Sequence, residues 1–155
     1  MATPCSSSTT DHILFLGLGT NLGRKAHNLN QACKLIEKRV GQVVRLSSFI
    51  ETEPWGFQSE NSFLNAVAMV HTQLSPRQVL EATQQIERQM GRRQKSVDGH
   101  YHDRIIDIDI LLYDHLTINE PDLVVPHPKM KQRPFVMEPL REILTNSDTE
   151  LLAET

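Results

Sequence analysis

Two acidic residues interrupt the most apolar stretch of the chain, and this arrangement constrains the fold more than any other feature. The stretch is RIIDIDILLYD, residues 104–114, and the two acidic residues that interrupt its apolar run are Asp107 and Asp109. Its isoleucine and leucine content predicts a buried strand. Side chains two residues apart on a strand point to the same face, so both carboxylates share one side of the sheet. Because burying either charge unpaired costs several kcal/mol, that face must offer the pair a cation or water.

A divalent cation is one way to stabilise this pair. Mg²⁺ prefers carboxylate oxygens and completes its coordination with phosphates and water. The alternatives are a solvated face, or an arginine partner for each aspartate. The basic residues nearby favour the metal, because a carboxylate-bound metal with Arg and Lys is what a polyphosphate requires. They are Arg92, Arg93, Lys95 and Arg104, and a solvated basic loop is the competing interpretation of them.

Hydrophobic patterns predict four strands and two helices in the order strand, helix, strand, strand, helix, strand. The strands are predicted at 12–19, 42–52, 62–73 and 104–114. This order is typical of a split βαβ sandwich of the α/β (α+β) class, with helices on one face of a largely antiparallel sheet. The first strand is expected to be central.

The two helices have recognisable limits. Apolar residues at helical spacing begin at Leu29, and Gly41 ends the pattern. The second helix is predicted to start at an N-cap, Ser75, with Pro76 at its first position and Gln78 completing a capping box. Gly91 is predicted to terminate it. From Leu116 onward the chain is expected to be irregular, with a short helix at 136–144.

Size and composition indicate one globular domain. A chain of 155 residues with 23% charged and 39% hydrophobic residues is typical of a soluble domain. No apolar run approaches the ~20 residues of a membrane span, and a net charge of −3 does not favour nucleic acid. We expect a disordered polar tail at 1–11 and a single domain at 12–155. The two cysteines, Cys5 and Cys33, indicate a reducing cytoplasm rather than a disulfide scaffold.

Two further stretches contain candidate site residues with open alternatives. VPHPKMKQRPF, residues 125–135, contains His127, Lys129 and Arg133, which can contact phosphate or ribose, and Phe135, which can stack on a ring. The alternative is a proline-rich surface loop. Asn65 lies in an apolar segment, where its amide either bonds the backbone or binds the polar edge of a heterocycle.

Two other stretches are interpreted from their lack of a matching pattern. GLGTNLG, residues 17–23, matches no glycine-rich phosphate motif and is interpreted as a tight turn after a strand. Residues 91–103 lack periodicity, and a polar loop of that length is typical of a functional flap or a disordered excursion.

Five stretches together resemble one enzyme family, the 6-hydroxymethyl-7,8-dihydropterin pyrophosphokinases of folate biosynthesis. They are LGLGTNLG, SSFIETEPWGFQSENSFLNAV, IERQMGR, DRIIDIDILLY and VPHPKMKQRPFVMEPL. The resemblance extends from about Ile13 to about Ile143. It implies a ferredoxin-like sandwich and the transfer of pyrophosphate from ATP to the hydroxymethyl group of the pterin, releasing AMP. The expected partners are these two small molecules, without nucleic acid or membrane, and the expected state is a monomer.

The resemblance also implies roles for individual residues. Asp107 and Asp109 match the aspartates that hold two Mg²⁺ ions between ATP and the substrate hydroxyl. The implied pterin pocket contains Thr52, Pro54, Trp55, Phe63, Asn65, Tyr101 and Phe135. The implied ATP contacts are Gln84, Glu87, Arg92, Lys95, Ile110, His127 and Arg133. The implied catalytic set is Arg92, Lys95, Arg104, Asp107 and Asp109.

The chain departs from the family pattern in the 91–103 loop. Gln94 stands where the family often has a second arginine, and the neighbouring Arg93 starts from a different backbone direction. Tyr101 stands near a family tryptophan and is expected to seal the pterin side in its place. The loop is expected to close over ATP and deliver Arg92 and Lys95.

Two rival functions would fit parts of the pattern. One is another metal-dependent phosphotransferase or nucleotidyltransferase, which would not bind pterin selectively. The other is a non-enzymatic binding module of the same fold, regulatory or RNA-binding. An RNA reader favours a basic domain with exposed aromatics, whereas this chain has 5% aromatic residues and a net charge of −3.

Overall fold

The computed structural model describes residues 11–52, 62–91 and 105–144. Its elements, in chain order, are β1 (His12–Thr20), α1 (Lys25–Arg39), β2 (Gly41–Leu46), β3 (Ile50–Thr52), β4 (Phe63–Thr72), α2 (Pro76–Gln89), β5 (Asp107–Tyr113), β6 (Ile118–Glu120), β7 (Leu123–Val125), a 3-10 turn (Met130–Gln132) and α3 (Pro134–Ile143). None of the helices in these three ranges is long and apolar enough to cross a membrane.

Five of the strands form one antiparallel sheet. Its order is β2-β4-β1-β5, and β3 pairs with β4 as well. The first strand is central, as predicted, with β4 on one side and β5 on the other. The connection through α1 passes over β4, and the connection through α2 passes over β1, which is the split βαβ arrangement. The predicted ferredoxin-like α/β sandwich is therefore confirmed.

Helices α1 and α2 pack on one face of the sheet. Leu14 and Leu16 of β1 meet Ile36 of α1 and Ile86 of α2 in one fully buried cluster. Burying side chains of this size contributes roughly 1.5–3 kcal/mol each. The predicted capping box at Ser75 is present, and Gly91 follows the C-cap with a φ of +111°, as a helix-ending glycine does.

A third helix covers part of the opposite face. The two longer helices share one face, as predicted, and the short helix, which was not assigned to a face, lies on the other. Phe15 of β1, Met69 of β4 and Leu111 of β5 point away from α1 and α2. They pack against α3, whose buried residues include Met137 and Leu140. The strands are apolar on both faces, so each face needs a helical cover. The predicted short helix is confirmed, with its start at Pro134.

The predicted strand at 42–52 is two strands, because Ser47 interrupts the regular pairing. Its N–H donates to the Val67 carbonyl, and its hydroxyl accepts a hydrogen bond from the Val67 N–H, both at 2.9 Å. Ser48 instead bonds the Glu142 carboxylate on α3 through both its N–H and its hydroxyl. Pairing with β4 then resumes at Ile50 in a shifted register.

The hairpin of β6 and β7 was not predicted. Its strands pair through Glu120 and Leu123, which leaves a two-residue turn of Pro121 and Asp122. The Pro121-Asp122 pair is a turn signal that the sequence contains. The hairpin leads to a cis peptide bond between Val125 and Pro126.

Several predicted features lie outside the described residues. Within the predicted tail, the structure describes only Asp11, whose carboxylate accepts a hydrogen bond from Gln73. Of the predicted flap it describes only Gly91. Cys33 lies partly buried in α1, where burial raises the pKa of its thiol to about 11.

Candidate active site

The face covered by α3 has a polar end formed by three strands in register. Gly19 of β1 pairs with Asn65 of β4 on one side and with Asp107 of β5 on the other. Residues directly opposite each other in antiparallel strands project to the same face. The glycine therefore leaves a gap without a side chain between an amide and a carboxylate.

Gly17 marks the boundary between this polar end and the apolar core. It pairs with Asp109, two residues after Asp107, so the two carboxylates share a face as predicted. A bulge in β5 follows, and it directs Leu111 over Gly17, whose ideal Cβ position lies 3.4 Å from the leucine side chain. Gly17 is thus covered by Leu111.

Gly19 is surrounded by residues of β4 instead. Its ideal Cβ position lies 3.1 Å from Oδ1 of Asn65 and 3.7 Å from the Phe63 ring. The Asn65 amide donates to the Thr52 hydroxyl at 2.8 Å and, more weakly, to the Ile50 carbonyl at 3.4 Å. Asn65 is only 6% exposed. The structure therefore supplies the backbone partner expected for this amide and also places its oxygen over the glycine gap.

Asp109 lies beside a cationic side chain from the segment before α3. Nη1 of Arg133 is 3.9 Å from an Asp109 carboxylate oxygen, which is beyond hydrogen-bond range. Asp109 is 36% exposed and Arg133 is 11% exposed. The guanidinium also lies 5.8 Å from the centre of the Phe135 ring, a cation–π distance. Arg133 thus lies between the Asp109 carboxylate and an aromatic side chain at the start of α3.

Glu87 holds the strand that carries the two aspartates. This buried residue of α2 accepts a hydrogen bond of 2.8 Å from the backbone N–H of Ile108. Ile108 separates Asp107 from Asp109. The predicted contact between Glu87 and ATP stays a prediction.

His127 lies against β5 on the other side of the carboxylates. The backbone N–H of His127 donates to the Leu111 carbonyl at 3.0 Å, and its ring Nδ1 accepts a hydrogen bond from the backbone N–H of Lys129. Burial, with the nearby charges of Arg133 and Lys129, lowers the pKa of His127 to about 4, against the opposing effect of Asp107. The imidazole is therefore neutral near pH 7 and can accept or donate a hydrogen bond without adding charge.

A cleft of about 300 Å³ opens beside the carboxylates. Three of the predicted site residues line this cleft, namely Asp109, Ile110 and His127. Its remaining lining consists of Leu80, Ile108, Pro121, Asp122, Leu123, Val124 and Pro128. The volume is at the lower end of the range of small-molecule sites, and the lining is mostly apolar with a few polar groups, which is typical of such sites.

The structure brings together most of the predicted residues that it describes. Seven of them lie either beside Gly19 in the sheet or in the cleft: Thr52, Phe63, Asn65, Asp107, Asp109, Ile110 and His127. Gln84 lies half-buried on α2. Outside the described residues lie Pro54, Trp55, Arg92, Lys95, Tyr101 and Arg104.

Sequence reasoning missed the role of two glycines. Gly17 and Gly19 were predicted to end the first strand, 12–19, and both lie within β1, but the stretch 17–23 that contains them was interpreted only as a tight turn, which comes later, at Gly23 with a φ of +68°. The pattern Phe15-x-Gly17-x-Gly19 alternates as a strand does, and that signal could have placed the glycines on one sheet face.

The fold is an α/β sandwich with two carboxylates on one strand face and a cleft beside one of them. Residues 15–145 match the family described as 7,8-dihydro-6-hydroxymethylpterin-pyrophosphokinase (HPPK), and the chain belongs to that family. Its members transfer pyrophosphate from ATP to hydroxymethyldihydropterin in folate synthesis.

Similar proteins agree with this membership. The chain is 49% identical over 132 residues to the 2-amino-4-hydroxy-6-hydroxymethyldihydropteridine pyrophosphokinase of Porphyromonas gingivalis, covering 84% of this chain and 90% of that protein. It is 37% identical over 141 residues to the Bacillus subtilis enzyme of the same name, covering 90% and 83%. It is also 37% identical to a mitochondrial folate synthesis bifunctional protein of Pisum sativum, of which it spans 28%.

The fold is similar to that of a solved structure as well. The wild-type HPPK-DHPS of Plasmodium falciparum superposes with a TM-score of 0.70 at 18% identity, covering 93% of this chain and 44% of that one. At this identity, the comparison supports the fold alone.

Proposed function

We propose that pyrophosphate transfer takes place at the polar end of the sheet, with the pterin over Gly19 and ATP in the neighbouring cleft. One observation supports this most directly: Asn65, Gly19 and Asp107 lie in register across three strands, and Asp109 lines the cleft. A substrate between Asn65 and Asp107 would therefore end beside the same carboxylates that a nucleotide in the cleft approaches.

Asp107 and Asp109 are suitable ligands for Mg²⁺. Both are carboxylates, both are partly exposed, and both project from one strand face. In the three described ranges there is no cluster of three or more His, Cys, Asp or Glu residues arranged to hold a metal. Mg²⁺ commonly takes one or two carboxylates and completes its shell with substrate phosphates and water. When bound, two Mg²⁺ ions would neutralise phosphate charge and acidify the substrate hydroxyl.

The pterin would bind by edge hydrogen bonds and ring contacts. Oδ1 of Asn65 faces the glycine gap, while its amide group is held by Thr52. Phe63 lies beside the same gap, and Phe135 supplies a second aromatic ring near Arg133. The proposed pocket also takes in Pro54, Trp55 and Tyr101.

ATP would place its base and ribose in the cleft and its phosphates at the carboxylates. Ile110 supplies apolar lining, and neutral His127 supplies a polar group that does not repel a cation at the aspartates. Arg133 brings positive charge within 3.9 Å of Asp109. Gln84, Glu87, Arg92 and Lys95 complete the proposed ATP contacts.

The chain's own contribution to the reaction is positioning and charge neutralisation. The pterin hydroxyl attacks the β-phosphorus in line, and AMP leaves. Arg92, Lys95 and Arg104 stabilise the negative charge that develops on the transferred group. The scaffold under the site holds the two carboxylates in position, since Asp107 and Asp109 project from a strand paired with β1 and hydrogen-bonded to α2 through Glu87.

The test is AMP release with ATP, Mg²⁺ and 6-hydroxymethyl-7,8-dihydropterin. Asp107→Asn and Asp109→Asn should each lower kcat by at least about a hundredfold, with an unchanged melting temperature. Glu81→Gln removes a carboxylate from an exposed position of α2 and serves as the matched control. Near-wild-type AMP release by Asp109→Asn in Mg²⁺ would show that the metal assignment is wrong.

A cytoplasmic location, a monomeric state and a single domain over 12–155 are further proposals. The location is supported by the reduced, partly buried thiol of Cys33. Light scattering of the full chain tests the monomer, and a second copy per particle would refute it.

A further inference from the structure

Three charged side chains tie the β6–β7 hairpin to helix α2 beside the cleft. Arg77, in the first turn of α2, donates to Asp122 through Nη1 at 2.8 Å and through Nη2 at 2.7 Å. Nη2 also donates to the carboxylate of Glu120. One guanidinium thus contacts both the last residue of β6 and the turn residue before β7, in a bidentate geometry that fixes direction as well as distance.

The hairpin held in this way forms part of the cleft. Pro121, Asp122, Leu123 and Val124 line it from the hairpin. Leu80 lines it from α2, one helical turn after Arg77. The separation between hairpin and helix sets the width of the cleft, and Arg77 joins the two elements by ion pairs.

The same cluster sets the charge beside the cleft. Hydrogen bonds from the Arg77 guanidinium to Asp122 and Glu120 raise the pKa of Arg77 above its ordinary value, so the guanidinium stays charged. Without it, two carboxylates would lie side by side in the hairpin and would repel each other and any anionic ligand nearby.

We propose that Arg77 is a positioning residue for ATP, holding the hairpin at the width that the nucleotide needs and neutralising the two carboxylates beside it. This inference rests on the proposed function, because it requires ATP to occupy this cleft. Arg77 does not need to touch the nucleotide. It acts through Glu120 and Asp122.

A positioning role is distinguishable from a stabilising one. The side chains of Arg77, Glu120 and Asp122 are 47%, 48% and 59% exposed, and ion pairs at such exposure contribute little to global stability. Loss of Arg77 should therefore weaken nucleotide binding without lowering the melting temperature. A residue needed only for folding would lower the melting temperature and would weaken both ligands together.

The test measures two ligands on the full chain by calorimetry with Mg²⁺ present. The probes are α,β-methylene ATP and 6-hydroxymethylpterin. Arg77→Ala should raise the Kd for the nucleotide about fivefold, with less than a twofold change for the pterin. Arg39→Ala removes a cation from an exposed position of α1 and should change neither Kd. Arg77→Lys should show an intermediate loss, since it keeps the charge without the bidentate geometry.

The decisive comparison repeats Arg77→Ala in the Glu120→Gln, Asp122→Asn background. There the arginine has lost its charged partners, and its removal should change the nucleotide Kd by less than about twofold. Equal losses in both backgrounds, or an unchanged Kd in Arg77→Ala, would overturn the inference while leaving the proposed function intact. If the wild-type chain binds pterin but not the nucleotide, ATP does not occupy the cleft, and both proposals fail.

Discussion

The carboxylate of Glu87 accepts a 2.8 Å hydrogen bond from the backbone N–H of Ile108, the residue between Asp107 and Asp109. Glu87 is buried in α2, so this bond joins the helix layer to the strand at the point where the two acidic side chains leave it. The position of the proposed metal ligands therefore depends on a residue from the opposite side of the sheet.

Removing this acceptor should disturb both stability and metal use. Glu87→Ala leaves the Ile108 N–H without its carboxylate partner, and we expect the free energy of unfolding to fall by about 1–3 kcal/mol. The Mg²⁺ concentration for half-maximal AMP release should rise at the same time. Glu87→Gln keeps an acceptor oxygen and should recover most of both properties. Identical Mg²⁺ dependence in Glu87→Ala and the wild type would refute a positioning role.

A methyl group at Gly19 should block the pterin. The new Cβ would lie 3.1 Å from Oδ1 of Asn65, so this side chain would have to move. We expect Gly19→Ala to weaken 6-hydroxymethylpterin binding by about tenfold or more, as measured by fluorescence titration. Gly17→Ala is the matched control, because its Cβ would meet Leu111 at 3.4 Å, an ordinary contact. Similar losses in both variants would argue against the glycine gap as the pocket floor.

Asn65→Ala should weaken pterin binding more than ATP binding. The substitution removes the amide over Gly19 and its bond to Thr52, while the nearest lining of the cleft comes from other strands. Thr52→Val separates the loss of the Asn65 amide from the loss of its hydrogen bond to Thr52, since it removes the hydroxyl partner and leaves the amide in place. Calorimetry with both ligands provides the measurement. Equal losses for pterin and nucleotide would count against the pocket assignment.

The Tyr113 hydroxyl should make stability depend on high pH. It donates to the Leu74 carbonyl at 2.5 Å, and burial together with nearby Asp114 raises its pKa to about 12. Below the ordinary value of about 10 the hydroxyl is protonated in both the folded and unfolded chain. Between pH 10 and pH 12 only the unfolded chain loses the proton, so the contribution of Tyr113 to the free energy of unfolding falls over that range.

Tyr113→Phe isolates this contribution. At pH 7 the variant should lose about 1 kcal/mol, the net value of a hydrogen bond. The difference between wild type and variant, measured by urea unfolding at each pH, should shrink above pH 10. A difference that stays constant to pH 12 would show that the hydroxyl does not titrate between the two states.

The fold was predictable because its main signals are local. The capping box at Ser75, the glycine that ends α2 and the apolar run of β1 each depend on a few neighbouring residues. The missed features depend on distant partners instead. Ser47 breaks its strand through Val67, and the apolar face that recruits α3 becomes visible only when three strands are aligned.

The candidate site divides in the same way. The shared face of Asp107 and Asp109 follows from the two-residue period of a strand. The juxtaposition of Asp107, Gly19 and Asn65 does not, because it depends on strand order and register, which join residues far apart in sequence. The Arg77 cluster similarly joins α2 to a hairpin more than forty residues later.

The row of Asn65, Gly19 and Asp107 across β4, β1 and β5 also sets a minimum length for a molecule that contacts both ends of it. Neighbouring strands lie about 4.8 Å apart, so the Asn65 and Asp107 backbones are separated by roughly 10 Å. A ligand that touches both must span two such intervals, for which a single six-membered ring is too short and a flat fused bicycle with a one-carbon arm is well matched. Backbone hydrogen bonds between the strands fix this distance. Side-chain substitutions here can therefore change the affinity for a substrate without changing the length of substrate that fits.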